Sequence, residues 1–421
     1  MTLPRVDLVV IGLGYAGLPL VREAVRVGLS VAGYDVDERR VAALRQGRSY
    51  MEDVTDADAA TLLREGFQAS TDPACLAHGD AIIVCVPTPL DQHGTPDLSA
   101  IEQAGRAIAL HLRSGTLVVL ESTTYPGTTE ELFQPLLESS GLAAGTDFAL
   151  AYSPERIDPG NRRYGLRNTP KVVGGLTPAC AERAAAFYGK FVDSVVLTSG
   201  TREAELAKLL ENTYRHVNIA LVNEMAVFCD ELGVDFWDAI AAASTKPFGF
   251  QAFHPGPGVG GHCIPIDPNY LSYKARSVGY PFRFAALAQE INARMPAYVC
   301  ARAQRLLNDH AKPVKGSVVL LLGVTYKPDI ADQRATPAIP LARHLRGLGA
   351  DVRFHDPHVE RWEVDGAALG RVPHLEAALA EADLVILLQR HRAYDLAAIA
   401  EQAPLVLDTR GQMAGPRVER L

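Results

Sequence analysis

The sequence predicts an α/β protein: two Rossmann-like, doubly wound parallel-sheet domains joined by a long central helix and a helical dimerisation region. Three observations carry this expectation. Apolar strands alternate with amphipathic helices between Asp7 and Ser122; the same rhythm returns between Ser317 and Gly411; and the stretch TREAELAKLLENTYRHVNIALVNEMAVFCDELG between them repeats its apolar residues at three- and four-residue spacing. Strand–helix alternation implies βαβ units and a parallel sheet, and a helix this long joins domains more often than it fills a core. The expected boundaries are 1–200, 201–310 and 311–421.

Each element has its own justification. DLVVIG is a buried strand and a helix follows from Gly17; LSVAGYD is the second strand, DAIIVCVP the third and TLVVLES the fourth, each separated by a helical stretch. In the C-terminal copy the strands are SVVLLLGVTYK, ADVRFHDP, ADLVILLQRH and PLVLDTRG. The copies differ at the first turn. GLGYAG at 12–17 becomes GVTYK at 323–327, losing two glycines and gaining Lys327, so the halves are expected to hold different ligands.

Composition narrows the function. With 421 residues, 48% hydrophobic and 21% charged, and no low-complexity tract, the chain reads as fully folded. A formal net charge of -8 disfavours nucleic acid as the main partner. No apolar run approaches the roughly 20 residues needed to span a bilayer, and the N-terminal run passes straight into a Gly-rich turn, so the expected location is cytoplasmic. Six cysteines, at 75, 85, 180, 229, 263 and 300, form no CxxC pair and have no zinc-type spacing to histidine, which predicts free thiols and no metal.

Gly12, Gly14 and Gly17, with Tyr15 and Ala16 between them, make a GxGxxG turn from strand to helix. The first glycine permits the turn, the second lets a pyrophosphate approach the backbone, and the third lets helix and strand pack. Asp35 ends the second strand, where a carboxylate accepts hydrogen bonds from ribose hydroxyls and repels a 2′-phosphate. This favours NAD over NADP, although Arg39 and Arg40 follow closely. The strand ends VPTP and EST add Pro87, Thr88, Glu121, Ser122 and Thr123 as candidate cofactor contacts, against an ordinary loop or capping role for each.

Cys263 lies in FHPGPGVGGHCIPIDPNY, where glycines let backbone N–H groups approach a ligand and hold a carbonyl oxygen while a thiol attacks. The bland alternative is a gap-filling thiol in a turn. A hydride acceptor beside a nucleophilic cysteine points to oxidation of an alcohol through aldehyde and thioester to an acid. Lys208 and Asn212, four apart on one helix, supply an oxyanion site, and Asp267 and Glu155 supply carboxylates for water or proton handling.

The segments GLGYAGLPL, SPERIDPGN, ELAKLLENTYR, GPGVGGHCIPIDP and VTYKPDIADQR together resemble the UDP-glucose/GDP-mannose dehydrogenase family over essentially the whole chain. That resemblance implies an NAD-binding N-terminal domain, a C-terminal domain for the nucleotide of a UDP-sugar, a homodimer or higher homo-oligomer built on the central helix, and four-electron oxidation of a sugar C6 alcohol to a uronate used in surface polysaccharide precursors. It implies catalytic roles for Cys263, Lys208, Asn212, Asp267, Glu155 and Thr123, and substrate contacts from Arg156, the Phe253–Gly261 loop including Gly256 and Gly260, Lys327 and Arg334. HCIPIDPNYL with SPERIDPGN is most similar to the branch acting on UDP-N-acetylglucosamine; UDP-glucose, UDP-N-acetylmannosamine and UDP-N-acetylgalactosamine are alternatives. KPFGFQAFHPG lacks the arginine of other family versions and offers Lys246. Other readings are a β-hydroxyacid dehydrogenase, which needs neither the cysteine nor a second α/β domain, a non-catalytic nucleotide-sugar sensor, and a redox switch at Cys263 with His262 lowering its pKa.

Overall fold

The computed structural model describes residues 5–421 apart from 52, 53, 93, 159, 162 and 262. The chain divides into two compact units: one runs to Glu211 and takes in Asn269–Tyr280, the other comprises Asn212–Pro268 and Pro281–Leu421.

The first unit holds an eight-stranded sheet of β1 (Val6–Ile11), β2 (Val31–Tyr34), β3 (Gln68–Ser70), β4 (Gly79–Val84), β5 (Leu117–Leu120), β6 (Ala149–Tyr152), β7 (Lys171–Gly175) and β8 (Val195–Leu197), in the order β3-β2-β1-β4-β5-β6-β7-β8. The chain winds one way from β1 to β3 and the other way from β4 onward, so the switch point falls between β1 and β4. Ile11 pairs with Tyr34 on one side and Val84 on the other, which brings the turn after β1, Asp35 and Cys85 to one edge. β1, β4 and β5 are apolar on both faces because helices cover both faces of a parallel sheet, and Leu8, Val10, Ile83 and Val119 are sealed in that core.

Two features differ from the sequence expectation. β6 and β7 are antiparallel, and β3, β6, β7 and β8 lie outside the four expected strands. Three- to five-residue strands are too short to display a period.

The second unit contains a five-stranded sheet of β9 (Val318–Leu322), β10 (Asp351–His355), β13 (Leu384–Leu387), β14 (Val406–Asp408) and β15 (Val418–Arg420), and an antiparallel hairpin of β11 (Arg361–Val364) and β12 (Ala367–Gly370). Its order is β10-β9-β13-β14-β15, all parallel, with the switch between β9 and β13. Where a helix was expected to follow β10, the hairpin comes first, and the helix Leu375–Glu381 follows it.

The internal repeat extends to individual hydrogen bonds. Gly12 N–H donates to Tyr34 O at 2.8 Å and Gly323 N–H to His355 O at 2.9 Å; Leu13 N–H donates to Asp35 Oδ2 and Val324 N–H to Asp356 Oδ2, both at 2.8 Å. The copies diverge immediately afterwards. The helix after Gly12 begins at Gly17, whereas the helix after Gly323 begins only at Ala338. Asp356 is sealed, and His391 Nε2 donates to it at 3.1 Å. The second turn has lost the helix N-terminus that a dinucleotide's phosphates use, and its carboxylate is bound to a histidine.

The central helix runs unbroken from Thr201 to Leu232. Its buried face mixes apolar and polar residues, with Ala204, Leu209, Ala220, Ala226 and Cys229 buried among the polar ones. Glu205, Lys208, Thr213, His216 and Asn223 are buried, while Leu206, Leu210, Tyr214, Leu221, Met225, Phe228 and Leu232 are exposed.

Candidate active site

The glycine turn is shaped for a dinucleotide. Gly12 has φ +88°, and a Cβ there would lie 2.6 Å from Cys85 O; a Cβ at Gly17 would lie 1.9 Å from Gly12 O. Only glycine fits either position. At Gly14 a Cβ would meet nothing nearer than the Arg40 guanidinium at 3.9 Å, so space stands open over the backbone where a pyrophosphate needs it. Tyr15 is exposed and Ala16 half-buried beside it. Asp35 is 5% exposed and also accepts from Asp37 N–H at 2.9 Å, with Arg40 Nη1 at 3.4 Å. These residues fit NAD.

Pro87 is exposed, Thr88 is buried with its carbonyl accepting from Tyr270 Oη at 2.9 Å, and Ser122 Oγ donates to Val86 O at 2.8 Å. Thr123 is half-buried at the end of β5. Glu121 is a correction to its reading as a cofactor contact. Its carboxylate is 2% exposed, lies 3.0 Å from Lys171 Nζ and accepts from Tyr188 Oη, so it belongs to a buried ion pair beneath the strand ends.

In the same unit Lys208 is buried, and its Nζ donates to Glu155 O at 2.5 Å with Glu155 Oε2 at 3.6 Å. Glu155 also caps Ile157 N–H. Arg156 forks between Glu211 at 2.6 Å and Pro170 O at 2.6 Å.

The thiol stands in the other unit. Cys263 is exposed, whereas the other five cysteines are buried; burial pushes the Cys75 thiol up to about 11 and raises Cys85 and Cys300. Cys263 O accepts from Asp267 N–H at 2.8 Å, a turn that opens the helix Asp267–Ser277, and Asp267 Oδ2 accepts from Asn212 Nδ2 at 2.5 Å. His262 lies outside the described residues.

The glycines before the thiol are packing requirements. A Cβ at Gly260 would lie 2.7 Å from Ala335 O and from Tyr326 Cβ, and one at Gly261, where φ is +92°, would enter the Tyr326 ring. Gly258 packs on Pro296 and Asn292 O, the carbonyl that Pro296, having no N–H, leaves without a helical partner. Asn223 Oδ1 accepts from Gly256 N–H at 2.9 Å, while Asn223 Nδ2 donates to Asn292 Oδ1 at 2.8 Å beside the sealed His216. Gly256 also lies against Arg410, whose guanidinium burial pulls down to about 10.

Phe253 packs edge-on against Tyr214, and Lys246 lies 5.0 Å over the Phe248 ring. Lys327 is half-buried in the turn after β9, and Arg334 chelates Asp332 through Nε and Nη2.

The side chains missed at the sequence level are Glu205, Asn223, His216, Asn292 and Arg410 in its packing role. For Glu205, His216 and Asn223 the only local signal is polar residues spaced at three, four and seven along one face of the central helix. Asp329, His358 and His391 bring ligand-type atoms within 4.8 Å of one another. His391 Nδ1 accepts from Asp329 N–H, its Nε2 donates to Asp356, and Arg392 occupies the Asp329 carboxylate, so two of the three groups already serve a loop clasp.

A dinucleotide turn at the switch point of one sheet, with a second and altered copy in the other, is the arrangement of a dinucleotide-binding α/β protein. Models of the UDP-glucose/GDP-mannose dehydrogenase family match the chain as NAD binding domain over 6–192, central domain over 202–294 and UDP binding domain over 320–415. A UDP-N-acetyl-D-glucosamine 6-dehydrogenase of Pseudomonas aeruginosa is 39% identical over 83% of this chain and 82% of its own. An NDP-N-acetyl-D-galactosaminuronic acid dehydrogenase of Ralstonia nicotianae is 37% identical over 97% of this chain and 96% of its own. Among solved structures, a UDP-D-ManNAc dehydrogenase from Pyrococcus horikoshii has a TM-score of 0.89 at 32% identity and covers 98% of both chains. The chain belongs to the UDP-glucose/GDP-mannose dehydrogenase family and is an NAD-dependent UDP-sugar dehydrogenase. Among the described residues no helix is long and apolar enough to cross a membrane.

Proposed function

We propose that the chain oxidises the C6 alcohol of UDP-N-acetylglucosamine to the uronate by two successive two-electron steps, supplying a precursor for polysaccharide synthesis. NAD, when bound, accepts a hydride in each step. The overall balance is alcohol, two NAD and one water to carboxylate, two NADH and three protons. In the first step the alcohol loses a hydride and a proton to give an aldehyde. The Cys263 thiol then adds to that aldehyde; the adduct loses a second hydride and proton to give a thioester, and water releases the acid and restores the thiol.

Lys208 and Asn212, one helical turn apart, hold the oxygen as its negative charge grows; Asp267 and Glu155 orient water and take up protons; Thr123 acts beside them. Gly12, Gly14, Tyr15, Ala16, Gly17, Asp35, Arg40, Pro87, Thr88 and Ser122 hold NAD. Arg156, Phe253, Gly256, Gly260, Lys327 and Arg334 hold the UDP-sugar. The observation that carries this reading is Cys263: an exposed thiol on a glycine loop, followed after one turn by a buried aspartate that the central helix holds through Asn212.

The parts 1–200, 201–310 and 311–421 are proposed as NAD-binding, helical and UDP-sugar-binding domains. The chain is further proposed to form a homodimer through the exposed apolar row of the central helix. Support for N-acetylglucosamine comes from the Pseudomonas relative; the Ralstonia and Pyrococcus relatives favour N-acetylgalactosamine or N-acetylmannosamine as second readings. NADH formation across UDP-glucose and the three UDP-N-acetylhexosamines tests the sugar. With the accepted sugar, wild type yields two NADH per substrate and Cys263→Ser fewer than two. Two NADH from Cys263→Ser would remove the thioester route.

A further inference from the structure

Glu205 is fully buried, in the second turn of the central helix. Its Oε1 accepts from Thr129 N–H at 2.9 Å, Thr129 Oγ1 at 2.7 Å and Thr124 Oγ1 at 3.2 Å, and its Oε2 accepts from Gly127 N–H at 2.6 Å. All four donors are neutral, and all come from the segment that leaves β5.

A neutral side chain could satisfy a hydroxyl or an amide without the desolvation cost of a buried charge. The surrounding charges are occupied with one another. Arg202, on the same helix, pairs with Glu130 at 2.9 Å and Glu131 at 3.3 Å; Lys274, on the helix Asp267–Ser277, pairs with Glu131 at 2.7 Å and lies 5.3 Å over the Tyr125 ring; Lys208 holds Glu155. Burial raises the Glu205 carboxyl and the hydrogen bonds from Thr129, Gly127 and Thr124 oppose it, leaving it at about 7.

The segment these bonds hold is placed where a cofactor's reactive end is expected. Asp35, on the β2 side of the switch point, marks the adenosine end of the cleft, so the nicotinamide end lies over β4 and β5. The segment is fixed at two ends: Ser122 Oγ to Val86 O on one side, and Thr124, Gly127 and Thr129 to Glu205 on the other. Thr123 lies between the two.

We propose that Glu205 is a positioning residue of the reaction, its carboxylate fixing Ser122–Thr129 so that Thr123 is held at the nicotinamide end of the cleft. This rests on the functional reading above. Four donors can share a carboxylate, which accepts only. Once protonated it brings a fifth hydrogen into a site whose two backbone N–H groups cannot turn away. Activity therefore falls as pH drops through the Glu205 titration.

The test uses the full chain, wild type and Glu205→Gln, with kcat and KM measured from pH 6 to pH 9 on the accepted UDP-sugar, and an NADH fluorescence titration alongside. The expected result is a kcat about tenfold lower or more, a UDP-sugar KM within about twofold of wild type, an acid limb near neutral pH in wild type that the variant lacks, and NADH binding at least about threefold weaker. An unchanged kcat, or the same acid limb in both proteins, overturns the proposal. If Glu205→Gln does not fold, Thr129→Val decides: it removes one donor and keeps the carboxylate, and it must lower kcat with unchanged UDP-sugar KM. Full wild-type turnover with an unaffected variant sinks this proposal alone. A wild type silent on every UDP-sugar sinks the functional reading instead, and the NADH titration then decides the role of Glu205.

Discussion

Among single residues, the contrast between thiols explains why one is singled out. Cys75, Cys85 and Cys300 are sealed and their pKa values are raised by burial, so they behave as small apolar fillers; Cys263 is exposed on a loop whose glycines are fixed by Tyr326 and Ala335. Cys263 was legible because a thiol among glycines and prolines has no helix or strand to serve. Glu205 was not, because a glutamate in a helix normally faces water and burial is a property of the packed chain. Lys208 makes a sharp prediction. Lys208→Ala should lower kcat by about 10²-fold or more, as the loss of an oxyanion donor does, and steady-state kinetics read it directly.

His216 sets a pH dependence. Burial pushes its imidazole down to about 4 from an ordinary 6.5, so the folded protein refuses a proton that the unfolded chain accepts. Stability contributed at neutral pH is therefore lost as pH falls from 6.5 towards 4, by about 3 kcal/mol at the limit. His216→Asn should lose less stability than wild type between pH 7 and pH 4.5 in denaturant titrations. Equal losses would remove His216 as the source.

Among elements, the central helix matters most. A globular helix buries its apolar stripe, and this one buries Glu205, Lys208, Thr213, His216 and Asn223 alongside Ala204, Leu209, Ala220, Ala226 and Cys229. The inward row holds loop segments: Glu205 the loop after β5, Lys208 the Glu155 carbonyl, and Asn223 the Gly256 amide. The outward row, from Leu206 to Leu232, leaves apolar area that a second copy can cover. Leu221→Glu combined with Phe228→Glu should convert the proposed dimer to monomer in sedimentation velocity, with the far-UV spectrum of the monomer unchanged. The helix and its length were legible from periodicity. Which face turns inward was not, since the apolar residues satisfy the same spacing whether they meet a core or a partner.

At the scale of the whole molecule, one supersecondary plan is used twice. Gly12, Leu13 and Asp35 correspond to Gly323, Val324 and Asp356 bond for bond, yet only the first copy keeps the early helix, and the carboxylate of the second is taken by His391. The second copy carries Lys327 in that turn, the residue proposed above to meet the nucleotide of the substrate. Lys327→Ala should therefore raise KM for the UDP-sugar by about tenfold and change kcat by less than about threefold. A kcat loss as large as the KM change would place Lys327 at the reacting carbon.

The sequence by itself determined the two α/β halves, the dinucleotide turn and the long helix, because each depends on local signals: strand period, glycine steric freedom, helical spacing. Tertiary structure alone decided the antiparallel β6–β7 pair, the β11–β12 hairpin, the burial of Glu121 against Lys171 and the inward turn of Glu205 and Asn223. These depend on partners distant in the chain, and whether a polar side chain meets water or a buried donor is fixed only when those distant segments pack.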